Sequence, residues 1–139
     1  MNVLLDTSVL IAHERGTWDS PAFLENVVGS NRAVISVISV TEFYEGVLRA
    51  TTAARQEVRR SFFESLMAAY EVIPIGVEDA LTHARTKESL RREGISIGPH
   101  DLFIAATCLQ HDLALATLNS AEFSRIPTLR LAPVERFVI

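Results

Sequence analysis

Asp6, Glu42 and Asp101 are the side chains of this chain whose types could do chemistry together. No lysine or arginine lies within three residues of Asp6, Glu42 or Asp101. Carboxylates gathered without basic partners repel one another and hold their protons more tightly, unless a cation neutralises them. A hard divalent ion with oxygen ligands is the natural partner, and Mg²⁺ or Mn²⁺ suits a site of few side chains and several waters. Taken singly, each acid has a structural claim. Asp6 stands at a strand-to-helix junction, where an N-cap is worth about 1 kcal/mol. Ser39-x-x-Glu42 and Asn119-x-x-Glu122 match capping boxes, and Asp101 in a first helical turn is favoured by the helix dipole.

The elements decide whether the acids meet. Val3-Leu4-Leu5 reads as a buried strand, broken by Asp6-Thr7-Ser8 before a helix that Gly16 stops. Residues 21–28 read as a short helix, and Ala33 to Val37 as a second buried strand leading into Ser39-Val40-Thr41-Glu42. Arg55 to Tyr70 is helical, with an apolar stripe of Phe62, Phe63, Leu66, Met67 and Tyr70 that suits either the core or a partner. Val72 to Ile75 reads as a strand, placed at an edge by Pro74, and residues 77–93 as a polar helix closed by Gly94. Pro99 opens a buried helix, Ala114 to Thr117 is a strand, and Leu129-Arg130-Leu131 is a last strand candidate. Strands alternating with helices, without hairpin signals, predict a parallel sheet covered on both faces. Ligands bind outside the carboxyl ends of such strands, where these acids fall.

With 139 residues, the chain is expected to form one domain over 1–139. Its start has no basic n-region, and no apolar run approaches a membrane span. The single cysteine, Cys108, fits a reducing cytoplasm and small core filler. A net charge of −4 excludes a polycation built for nucleic acid but leaves room for local basic patches. Twelve of the thirteen basic residues are arginine, Lys87 being the exception.

The segments Leu4-Leu5-Asp6-Thr7-Ser8, Ser39-Val40-Thr41-Glu42-Phe43, Asp101 to Thr107, and Leu115-Ala116-Thr117-x-Asn119-x-x-Glu122-Phe123 together resemble the PIN-domain family. Within it they resemble the VapC-type toxins of bacterial and archaeal toxin–antitoxin pairs. The resemblance spans essentially the whole chain. It implies an α/β/α sandwich of three layers around a five-stranded parallel sheet, with an acidic pocket that binds Mg²⁺ or Mn²⁺ and cuts single-stranded RNA. By position, Asp6, Glu42 and Asp101 match the family's core acids. Asn119 and Glu122 are joint candidates for the fourth ligand, and Thr7 and Thr117 match pocket hydroxyls. A homodimer is implied, with a cognate antitoxin laying a segment across a groove that leads to the acids.

The expected chemistry is phosphodiester hydrolysis, with water activated by the ion and no protein base required. An acidic pocket needs positive charge on its rim to hold RNA, and Arg49, Arg85, Lys87, Arg91 and Arg92 form the pool. His100 borders the pocket, facing solvent. A housekeeping RNA-processing nuclease and a non-catalytic acidic-pocket module are the alternatives. A receiver-type signalling module would want a lysine at a late strand end, and Lys87 lies mid-helix. A haloacid-dehalogenase-type phosphatase would want a second Asp where Ser8 stands.

Overall fold

The computed structural model describes all 139 residues. In chain order the elements are β1 (Val3–Leu5), α1 (Thr7–Glu14), α2 (Ser20–Phe23) running into a π-helical turn (Leu24–Val28), β2 (Ala33–Ser36), α3 (Val37–Leu48), α4 (Ala53–Ala69), β3 (Glu71–Ile73), α5 (Val77–Arg92), α6 (Pro99–His111), β4 (Ala114–Ala116) and α7 (Ser120–Phe123). A 3₁₀ turn (Glu135–Phe137) ends the chain. The strands form one parallel sheet in the order β3-β2-β1-β4. β3 is an edge strand, as Pro74 requires.

Strand alternation divides the interior into two cores. Val3, Leu5, Ile35, Ala114 and Ala116 face one side and pack with α1, α2, α3 and α4 through Val9, Phe23, Phe43 and Leu66. Leu4, Val34 and Leu115 face the other side and pack with α5 and α6 through Leu90, Leu102, Ala105 and Cys108. Adjacent residues of a strand point to opposite faces, so a sheet whose residues are apolar on both faces demands helices on both. The result is the expected three-layer α/β/α sandwich.

One expectation changes. The sheet has four strands, not five. Leu129-Arg130-Leu131 does run beside β4, where Leu131 makes a single parallel bridge to Leu115, with Leu115 N donating to Arg130 O and Ala132 N to Leu115 O at 2.8 Å each. Pro133 follows at once; it has no N–H to extend the ladder, and the fifth strand stays vestigial. The apolar stripe that runs along α4 to Tyr70 contributes to the first of these cores. Leu66 is buried, and Phe62, Phe63, Met67 and Tyr70 pack half-buried against the same cluster.

The sheet order also fixes where a site can form. From β1 the chain proceeds to β2 on one side, while β4 lies on the other, so the order reverses between β1 and β4. A crevice opens at the carboxyl ends of strands flanking such a reversal. Asp6 and Thr117 are the residues immediately after those two strand ends.

Candidate metal centre

Parallel pairing of Leu5 with Ala116, continued by Asp6 N donating to Ala116 O at 2.9 Å, sets Asp6 beside Thr117. Asp6 occupies the N-cap position of α1, yet its carboxylate makes no cap bond. It turns instead into the crevice, where Oδ2 accepts from the Ser8 and Thr117 hydroxyls at 2.8 Å each. Asp6 is 5% exposed, so this is a buried carboxylate held by neutral donors.

Glu42 arrives from α3. The helix is capped by Ser36, whose hydroxyl oxygen accepts from Ile38 N at 3.1 Å. Ser39 therefore lies inside the helix, buried, and the capping box expected from Ser39 and Glu42 does not form. The Thr7 hydroxyl lies 2.8 Å from both Glu42 Oε1 and Ser39 Oγ, tying the start of α1 to α3. The other oxygen of Glu42 lies 3.5 Å from Nδ1 of His100, whose side chain is about half exposed.

Asp101 enters from the first turn of α6, which begins at Pro99. Its carboxyl is pushed up to about 7, first by burial, then by a hydrogen bond with Glu122 and by the charges of Asp6, Glu122 and Glu42. Those causes put the charges of three other carboxyl groups, from the β1–α1 junction, α3 and α7, within reach of Asp101. Asn119 caps no helix with its side chain; its Nδ2 donates to Glu122 Oε2 at 2.7 Å. The second capping box is thus absent too, and Glu122 is the member of the pair that reaches Asp101.

No arginine or lysine forms an ion pair with these four acids; the chain's arginine pairs, among them Arg32–Glu71, Arg59–Glu14, Arg91–Glu88 and Arg130–Asp112, engage other carboxylates. Oxygen donors without a basic counter-charge fit a hard divalent cation. No three of the side chains form a closed coordination shell as they stand. Mg²⁺ takes one or two carboxylates directly and keeps its waters toward the rest, so an open arrangement of this kind suits it.

A pocket of about 280 Å³ lined by Glu42, Gly98, Pro99, His100 and Asp101 opens beside two of the acids. Larger grooves flank α3 and α4. One of about 630 Å³ is lined by Gly46, Arg49, Arg55 and Arg59 among others; another of about 620 Å³ is lined by Val40, Tyr44, Leu48 and Phe63 among others. Arg91 and Arg92 share Glu88 as partner on α5, whereas Arg49 and Arg85 have no carboxylate partner. Cys108 is buried in α6, and burial pushes its thiol up, out of the reach of nucleophilic chemistry. Ser8 is the residue that the sequence reading missed; its position two residues beyond Asp6 was read only for the lack of a second acid.

A parallel sheet with acids gathered at its switch point defines a class, and comparison with known proteins gives it a family. The PIN domain model matches residues 3–129. The chain is 34% identical over 134 residues to Ribonuclease VapC of Rickettsia bellii, covering 96% of this chain and 97% of that one. It is 27% identical over 104 residues to the tRNA(fMet)-specific endonuclease VapC of Salmonella typhimurium, covering 75% of this chain and 76% of that one. The crystal structure of VapBC2 from Rickettsia felis, bound to a DNA fragment from its promoter, superposes with a TM-score of 0.86 at 27% identity, over 95% of this chain and 98% of that one. The chain belongs to the PIN-domain family, in its VapC branch.

Proposed function

We propose that this chain is a Mg²⁺- or Mn²⁺-dependent endoribonuclease that cleaves single-stranded RNA as the toxin of a type II toxin–antitoxin pair. The observation that carries the reading is the meeting of Asp6, Glu42, Asp101 and Glu122, with Asp101 pushed up to about 7 and no arginine or lysine pairing with any of them. The relatives support the same reading, since those named above are ribonucleases and the superposing structure is a toxin–antitoxin complex.

Asp6, Glu42 and Asp101 would hold the ion, directly or through water, with Glu122 and Asn119 at the fourth corner. Bound there, the ion supplies Lewis-acid polarisation of the phosphate and a water acidic enough to attack near neutral pH. The protein's part is orientation. Thr117 and Ser8 fix one oxygen of Asp6, and Thr7 fixes one oxygen of Glu42. Preorganised groups of this kind need not reorient during the reaction. Arg49 and Arg85, without carboxylate partners, are the arginines free to meet phosphates, with Arg91 and Arg92 available once Glu88 is displaced.

The partners follow from the same reading: a cognate antitoxin across the grooves of α3 and α4, and a second copy of this chain. No helix is long and apolar enough to cross a membrane. A cytoplasmic place, where RNA and antitoxin are found together, suits the toxin role. Cleavage of a fluorescent single-stranded RNA tests the activity. Cutting with Mg²⁺ that is lost with EDTA and in Asp6→Asn supports it; cutting that survives EDTA overturns it. Induced expression tests the toxin role, with growth arrest relieved by Asp101→Asn as the expected result and harmless wild type as the contrary one.

A further inference from the structure

We infer that Ser8 is a positioning residue of the metal centre, acting through Asp6 and coupling it to the loop that carries Asn119 and Glu122. The inference rests on the reading of the acids as a cation site. Two hydroxyls, Ser8 Oγ and Thr117 Oγ1, converge on the same oxygen, Asp6 Oδ2, each at 2.8 Å, and stand 3.3 Å from each other. A hydroxyl has one proton to give and lone pairs to accept with. Both protons go to Asp6, and the lone pairs take consecutive backbone donors: Leu118 N donates to Ser8 Oγ and Asn119 N to Thr117 Oγ1, each at 3.0 Å. Two chains of donors, from backbone N–H through hydroxyl to carboxylate, thus end on one oxygen.

The consequence is directional. Oδ2 holds both hydroxyls, so Oδ1 is the oxygen of Asp6 that would meet a cation. The loop between β4 and α7 is held by the same bonds, and that loop carries Asn119, which donates to Glu122, the acid that acts on Asp101. Thr117 is buried and Ser8 half-buried, so water replaces neither bond at full strength. Charge-assisted bonds of this kind are stronger than neutral ones, and chained donors reinforce one another. Thr117 could hold Asp6 by itself, but only Ser8 reaches across from α1 to the backbone of Leu118. Removing its hydroxyl leaves Asp6 Oδ2 with one donor in place of two and the Leu118 N–H without its acceptor.

Mn²⁺ binding, read by electron paramagnetic resonance on the RNA-free protein, tests the inference separately from cleavage. Ser8→Ala is expected to weaken Mn²⁺ binding by about 10- to 100-fold, the usual cost of losing a group that orients a ligand. It should melt close to the wild type, lower kcat and leave KM for RNA unchanged. Ser8→Thr, which keeps the hydroxyl, should restore binding. Should Ser8→Ala fail to fold, Ser8→Cys fills the same space with a weak donor and carries the same test. Wild-type Mn²⁺ affinity in the folded variant overturns the inference, as does a loss that Ser8→Thr leaves unrepaired. A wild type that binds Mn²⁺ in a Ser8-dependent way but cuts no RNA sinks the nuclease reading and leaves this one standing.

Discussion

Burial, a hydrogen bond with Glu122 and the charges of three neighbouring acids push the Asp101 carboxyl up to about 7. In the unfolded chain the same group titrates near 3.8. Between those values the native state binds more protons than the unfolded one, so Asp101 makes the metal-free fold less stable as pH rises from about 4 to 7. Urea midpoints measured in EDTA across that range should fall with pH, and Asp101→Asn should flatten the trend; a steeper rise with pH in the wild type than in the variant would contradict the burial of this acid. Mg²⁺ should reverse the slope, since it binds the deprotonated form. Asp6→Asn separates function from stability in the same way. Cleavage should drop by more than about 100-fold, beyond the usual cost of losing a group that merely orients a ligand. Melting of the metal-free protein should not drop, because one charge leaves a repulsive cluster.

At the scale of elements, the helix starts separate what the sequence discloses from what it hides. Apolar runs bounded by polar breaks locate β1, β2 and β4 and hence the neighbourhood of Asp6, Glu42 and Asp101, because those acids follow strand ends or open a helix. The caps do not fall where the capping-box patterns place them. Val37 is β-branched and prolongs the apparent strand, so the start of α3 looked later than it is; Ser36, not Ser39, caps it. A capping box is a pattern of two residues, and the sequence alone does not say that a hydroxyl from α1 will claim the glutamate instead. Ser36→Ala should accordingly cost about 1 kcal/mol in chemical denaturation, the worth of a lost N-cap; an unchanged midpoint would put the cap elsewhere. Leu4→Ala, at the centre of the core beneath α5 and α6, should cost about 2–5 kcal/mol. The hydroxyl network around Asp6 was illegible for a further reason: it depends on the register of Leu5 with Ala116, and periodicity does not report which strands pair or in what order.

For the whole molecule, the order β3-β2-β1-β4 sets the strand ends before Asp6 and Thr117 side by side, at the reversal where a ligand crevice forms. The net charge of −4 gives no general attraction for RNA, so binding must come from local arginines. Arg49 lines the large groove beside α3, without a carboxylate partner. Arg49→Gln should weaken binding of an uncleaved single-stranded RNA in EDTA and reduce the slope of log affinity against log salt by about 0.7, one phosphate contact's worth; an unaltered slope would remove Arg49 from the RNA path. The most direct measurement is anomalous diffraction from crystals soaked in Mn²⁺. Expected is a peak within bonding distance of Asp6 Oδ1 and Asp101, approached by Glu42 and Glu122. A saturating soak that leaves the crevice between β1 and β4 without a peak would contradict a cation site there.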